Sequence, residues 1–178
     1  EAAPLTPPPL VGAIRWDAWV GAPHKVGAAV EKSLEPESFR FRLPWFGRVL
    51  PGGTVEARCI TRECEDRQIA YARKAGLDYF AFVWYPEESG LQLGLKLFRT
   101  SSARRGLSYA LILEASRWDK NTSREMTSHF LDVGYQKVLG GRPLFFMLGV
   151  EGIVPSQVKD LRRACLSAGL ENPYIVLM

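Results

Sequence analysis

A chain of 178 residues, 47% hydrophobic and 24% charged, is long enough for one domain with a real core, and its composition excludes disorder beyond the ends. Its 23 Lys+Arg against 19 Asp+Glu leave +4, with basic residues scattered among acids, a weak footprint for nucleic acid. No apolar stretch approaches the roughly 18 residues of a membrane span, so neither nucleic acid nor a membrane is expected as a partner.

The first ten residues, EAAPLTPPPL, hold four prolines and no apolar signal core. They read as a stiff linker or a processed N-terminus (residues 1–10), followed by one domain over residues 11–178. The first apolar run is LVGAIRW, residues 10–16. Residues 20–55 have no helix of ordinary crossover type, whereas residues from about 56 to 75 read as a helix stopped by Gly76. Four more apolar runs follow at 77–85, 107–113, 143–148 and 173–178, each short, bounded by Gly, Pro or polar residues, and rich in β-branched or aromatic side chains. All five are expected to be buried strands. Residues 121–140 read as a helix with Met126, Phe130, Val133 and Val138 on one stripe, and residues 155–169 as a second, opened by Pro155 and closed by Gly169.

The later strands start at 77, 107, 143 and 173, about 30 to 36 residues apart, the length of one βα unit. Three helix-to-strand junctions also echo one another in ARKAGLDYF, SARRGLSYA and LSAGLENPYI. The expected fold is α/β, a parallel (β/α) barrel-type arrangement of about five βα units. An apolar strand at 173–178 with nothing to cover it reads as part of a partial or truncated barrel rather than an open doubly wound sheet. No Gly-rich phosphate loop follows the first strand, which also argues against the open sheet.

In parallel α/β folds the strands' C-terminal ends build the site. That rule selects Trp16, Asp17 and Trp19 after the first strand, and Trp84, Tyr85, Glu87 and Glu88 after the second. It selects Glu114 and Trp118 at the third, and Glu151 after the fourth. Arg15 and Asp17 share a parity and suit either a structural pair or a ligand clamp. Flat rings that stack on sugars, beside carboxylates that take hydroxyls, point to a poly- or oligosaccharide; Glu114 and Glu151 are the candidate acid and base for glycosidic cleavage. Glu87 and the four tryptophans are the candidate sugar contacts, together with Asp17 and Tyr85. His24 and His129 lie far from any strand-end Ser or Cys, so a nucleophilic triad finds no support, and no cofactor or metal is expected. Cys59, Cys64 and Cys165 read first as three free or buried thiols; a Cys59–Cys64 bridge is the alternative in an exported protein, and would bend the predicted helix between them.

The segments VEARCITRECEDRQIAYARKAGLDYFAFVWY, LKLFRTSSARRGLSYALILEASRW and GRPLFFML resemble the N-terminal half of the glycoside hydrolase family 99-like barrels, the endo-α-mannosidase-like and polysaccharide-biosynthesis-associated proteins, over about residues 11–178. AGLDYFAF-x-WY is the most specific stretch. The resemblance implies a (β/α)8 barrel with a glycan cleft at its C-terminal face, and catalytic glutamates in a late Asn-Glu-Trp-type segment. This chain has no Asn-Glu dipeptide, so no catalytic residue carries over. The early rim does carry over: Trp16, Asp17, Trp84 and Tyr85. A secreted or extracytoplasmic carbohydrate-active protein is expected. The other readings are a catalytically incomplete glycan-binding module, and a structural fragment whose strand edges at 11–16 and 173–178 drive self-association or await a missing C-terminal segment.

Overall fold

The computed structural model describes residues 9–21 and 24–178; the Pro-rich start, residues 1–8, lies outside the described residues. In chain order the elements are β1 (Gly12–Arg15), α1 (Lys25–Ser33), β2 (Gly47–Val49), β3 (Val55–Ala57), α2 (Arg62–Lys74), β4 (Tyr79–Val83) and α3 (Leu93–Thr100). They continue with β5 (Ser108–Glu114), α4 (Thr122–Phe130), β6 (Lys137–Val138), β7 (Arg142–Leu148), α5 (Pro155–Ser167) and β8 (Tyr174–Leu177). Five strands, β1, β4, β5, β7 and β8, pair in parallel in chain order, each beside its predecessor. The five expected strands are therefore present in a mixed α/β fold with a mostly parallel sheet, but β1 and β8, at its edges, are largely exposed rather than buried as expected.

Alternation along these strands builds the core. Phe80, Phe82, Tyr109, Leu111, Leu113, Phe145 and Met147 share one sheet face, and they form a single cluster with Ile69 of α2, Phe98 of α3, Met126 and Phe130 of α4, and Leu161 of α5. The opposite face carries Ile14, Ala81 and Ala110 in one register row, and Val83, Ile112, Phe146 and Val176 in the next. Ala81 and Ala110 are buried at its centre, whereas Ile14 on the β1 edge is 66% exposed.

Residues 19–21 and 24–57 form a small lobe on the connection from β1 to α2. Leu34, Val55 and Ala57 make its own cluster, against which Trp19, Leu43 and Phe46 pack. The β2–β3 hairpin and α1 are inserted ahead of α2, which makes the crossover to β4; the expectation of no crossover-type helix in this segment stands, although the short helix α1 lies in it.

Three expectations are corrected. The helix expected from about 56 begins at Arg62, because Val55–Ala57 pairs as β3 and Thr61 caps α2 by accepting from the Cys64 amide at 3.3 Å. Cys59 thus precedes the helix and Cys64 sits in its first turn. Their Cα atoms lie 5.5 Å apart and the two are disulfide-bonded; Cys165 alone is a buried free thiol. The helix expected over 121–140 ends at Phe130: Asp132 accepts from the Gly134 amide at 2.8 Å and turns the chain, leaving Val133 98% exposed. Val138 then belongs to β6, which returns antiparallel onto β7 through a turn with Leu139, Gly140 and Gly141 all at positive φ.

That return wedges residues 134–136 between the starts of β5 and β7. Tyr135 closes the fork beyond it: its hydroxyl accepts from the Leu111 amide at 3.1 Å and donates to the Leu144 carbonyl at 2.8 Å, standing in for a rung of the ladder. Tyr135→Phe strands both groups in a buried site and is expected to cost about 2 kcal/mol by urea denaturation. Reducing the Cys59–Cys64 bridge, which closes a loop of sequence separation 5, should cost a further ~2 kcal/mol, read as a lower midpoint in dithiothreitol.

Candidate functional site

The C-terminal ends of β1, β4 and β5 lie side by side, and the structure joins one side chain from each. Trp16, one residue past β1, donates its indole N–H to the Tyr85 hydroxyl at 2.6 Å. Tyr85, two past β4, lies with its ring centroid 4.3 Å from the Arg117 guanidinium. Arg117 pairs with Glu114, the last residue of β5, at 2.6 Å, and Ser116 donates to the other Glu114 oxygen at 2.9 Å. Trp16 keeps 48% of its surface exposed. The cluster presents an open indole, a phenol, a guanidinium and a carboxylate along one rim.

Arg117 also faces a groove of about 550 Å³ running between α3 and α4, lined by Trp84, Glu87, Lys96, Asp119, Glu125 and His129 among others. Lys96 bridges to Glu87, with 3.7 Å to its carboxylate and 2.7 Å to its carbonyl. Asp119 accepts from the amides of Asn121 and Thr122 and from the Thr122 hydroxyl, and these bonds hold its carboxyl below the usual range while starting α4. Thus Glu87 and Asp119 are exposed polar walls, and Trp84 is the floor.

Not every rim candidate reaches the surface. Trp84 is 5% exposed because it continues the parity of Phe80 and Phe82 into the core behind the sheet. Asp17 is buried with Arg15, whose Nε donates to it at 2.8 Å, while the rest of the guanidinium makes a bidentate pair with Glu65 of α2 at 2.8 and 2.6 Å. Of the two readings of that pair, the geometry fits the structural one. Burial pushes the Asp17 and Glu65 carboxyls up against the pull of Arg15. Trp19 packs in the small lobe, edge-on to Phe46 at 5.5 Å, and Trp118 is half-buried against the main core.

Glu151 is exposed on the turn Val150–Gly152, which lies beside the turn Ala115–Arg117: a Cβ on Gly152 would sit 3.3 Å from the Ala115 Cβ. The two candidate carboxylates therefore leave adjacent turns. Sequence reasoning missed Arg117 and His129. For Arg117 the available signal was its i,i+3 spacing from Glu114. Among the described residues no group of three His, Cys, Asp or Glu side chains converges as a metal site. Compared with models of known protein families and with curated proteins, the chain matches none.

His129 at the groove's inner wall is 9% exposed and lies 3.4 Å from the Tyr109 hydroxyl. Burial, helped by Arg99, pushes its pKa down to about 4, so the folded protein holds it neutral where the unfolded chain protonates. Its share of stability is complete above about pH 6.5 and is lost as pH falls toward 4, by up to about 3 kcal/mol. Urea midpoints across that range should fall, and His129→Gln should flatten the profile.

Proposed function

We propose that this protein grips a poly- or oligosaccharide at the C-terminal rim of its parallel sheet, as a carbohydrate-binding member of the glycoside hydrolase-like (β/α) barrel class. The observation that carries this reading is the chain Trp16–Tyr85–Arg117–Glu114, built from three adjacent strand ends. An exposed indole offers an apolar face to a pyranose ring. The guanidinium donates to hydroxyls and the carboxylate accepts from them, the pairing that fixes a polyol in one orientation.

The barrel is part of the proposal. Five parallel strands in chain order suit consecutive βα units of one, with β1 and β8 as its open sides and the Ala81–Ala110 face turned inward. Further strands or a second copy would complete it. The Cys59–Cys64 bridge favours an oxidising, extracytoplasmic setting.

Binding is the better-supported activity because both Glu114 oxygens are already engaged, by Arg117 and Ser116. Hydrolysis is the second reading, favoured by the adjacency of the Glu114 and Glu151 turns. A polysaccharide panel scored for binding and for reducing-end release separates them. Trp16→Ala is expected to weaken the tightest oligosaccharide about tenfold by calorimetry. Unchanged affinity would remove the rim from the reading. Release that survives both Glu114→Gln and Glu151→Gln would remove that pair from any mechanism.

A further inference from the structure

The small lobe carries a surface that the rim does not use. From Phe39 to Arg48 the chain reads FRFRLPWFGR, with three arginines, four aromatics and no acid. The short 3-10 turn Glu37–Arg42 lifts Phe41 to 79% exposure; Phe39 and Trp45 are 41% and 45% exposed, and Tyr71 on the outer side of α2 is 50% exposed. Ring and guanidinium contacts tie them into two groups along the lobe. Arg42 lies 5.1 Å from the Phe39 ring centroid and 5.3 Å from that of Phe41. Arg67 lies 4.9 Å from the Trp45 ring, and Trp45 meets Tyr71 edge-on at 5.6 Å.

The charges on this patch are unevenly compensated. Arg48 is held by Glu56 at 2.6 Å and Arg58 by Glu31 at 3.1 Å. Among the described residues Arg40, Arg42 and Arg67 make no ion pair, and Arg40 donates to the Glu35 carbonyl at 3.2 Å. Glu63 on the first turn of α2 borders the patch, as does Glu37 at the start of the 3-10 turn. The surface thus projects aromatic tips with uncompensated guanidiniums seated against them.

We infer that this lobe docks peripherally on the surface of an anionic lipid bilayer, with Phe41, Phe39 and Trp45 entering the interface and Arg40, Arg42 and Arg67 meeting lipid phosphates. Aromatic side chains sit at the headgroup level and arginines are drawn to anionic leaflets. A stacking partner such as a single-stranded nucleic acid needs open ring faces, whereas here guanidiniums already cover a face of Phe39, Phe41 and Trp45. The expectation of no membrane partner rested on the lack of a spanning segment. Among the described residues no helix is long and apolar enough to cross a membrane, and a peripheral contact requires none.

The test is co-sedimentation of the whole chain with vesicles of phosphatidylcholine alone, or mixed with phosphatidylglycerol, at low and high salt. Partition is expected on the anionic vesicles and should weaken with salt. Phe41→Ser should lower it about tenfold, and Arg42→Gln roughly fivefold. Brominated lipid should quench tryptophan emission in the unaltered protein, and Trp45→Phe should remove that quenching while circular dichroism stays unchanged. No vesicle binding, equal binding to neutral vesicles, or undiminished binding by Phe41→Ser overturns the inference. So does binding of a soluble polyanion such as polyuridylate in place of vesicles.

Discussion

The rim depends on a buried guanidinium behind it. Arg15 ends β1 on the core side, forks onto Glu65 of α2 and reaches back to Asp17, with the rings of Phe80 and Phe82 4.9 to 5.1 Å away. With Arg15 and Asp17 both held inside, the residue between them is turned outward, and that residue is Trp16. The same pairing fixes α2 against the edge strand. A buried pair of this kind recovers its desolvation cost only with good geometry, and the bidentate fork supplies it. Glycine at 94 is part of the arrangement, because any Cβ there would collide with the Asp17 carboxylate.

The sheet was legible because its strands are apolar at both parities, the pattern that parallel strands carry. Alternation also placed Phe80, Phe82 and Trp84 together, and the structure keeps them so. What misled was treating every aromatic at a strand end as a rim residue. Trp84 holds the core parity, whereas Tyr85 holds the opposite one and meets Trp16 and Arg117. One residue of register decides which ring is floor and which is rim.

Other features lay beyond local pattern. The stripe Met126, Phe130, Val133, Val138 satisfies helical spacing, yet Asp132 and Gly134 turn the chain, and the hairpin through Gly140 and Gly141 reverses it. Periodicity alone does not weigh an Asp-x-Gly turn against one more helical turn. The disulfide was hidden for a related reason. Its feasibility hung on whether Thr61 or a residue before Cys59 begins α2, and helix starts are the least certain boundary in a sequence. Glu114 at i,i+3 was a sequence signal for Arg117, but its contact with Tyr85 beyond β4 was hidden, because nothing in its sequence neighbourhood reveals a partner on the adjacent strand end.

The placement of the lobe ties these observations together. It is inserted directly after Asp17, on the connection that starts at the C-terminal end of β1, so the residues that position Trp16 also anchor the lobe's first turn. Its far end returns through Ala57 and Arg58, both bonded to the buried Glu31 of α1, before the Cys59–Cys64 bridge fastens it to the start of α2. One residue beyond Cys64 is Glu65, the partner of Arg15. The lobe therefore leaves and rejoins the domain beside the two ends of the same buried ion pair, Arg15–Asp17 on one side and Glu65 on the other.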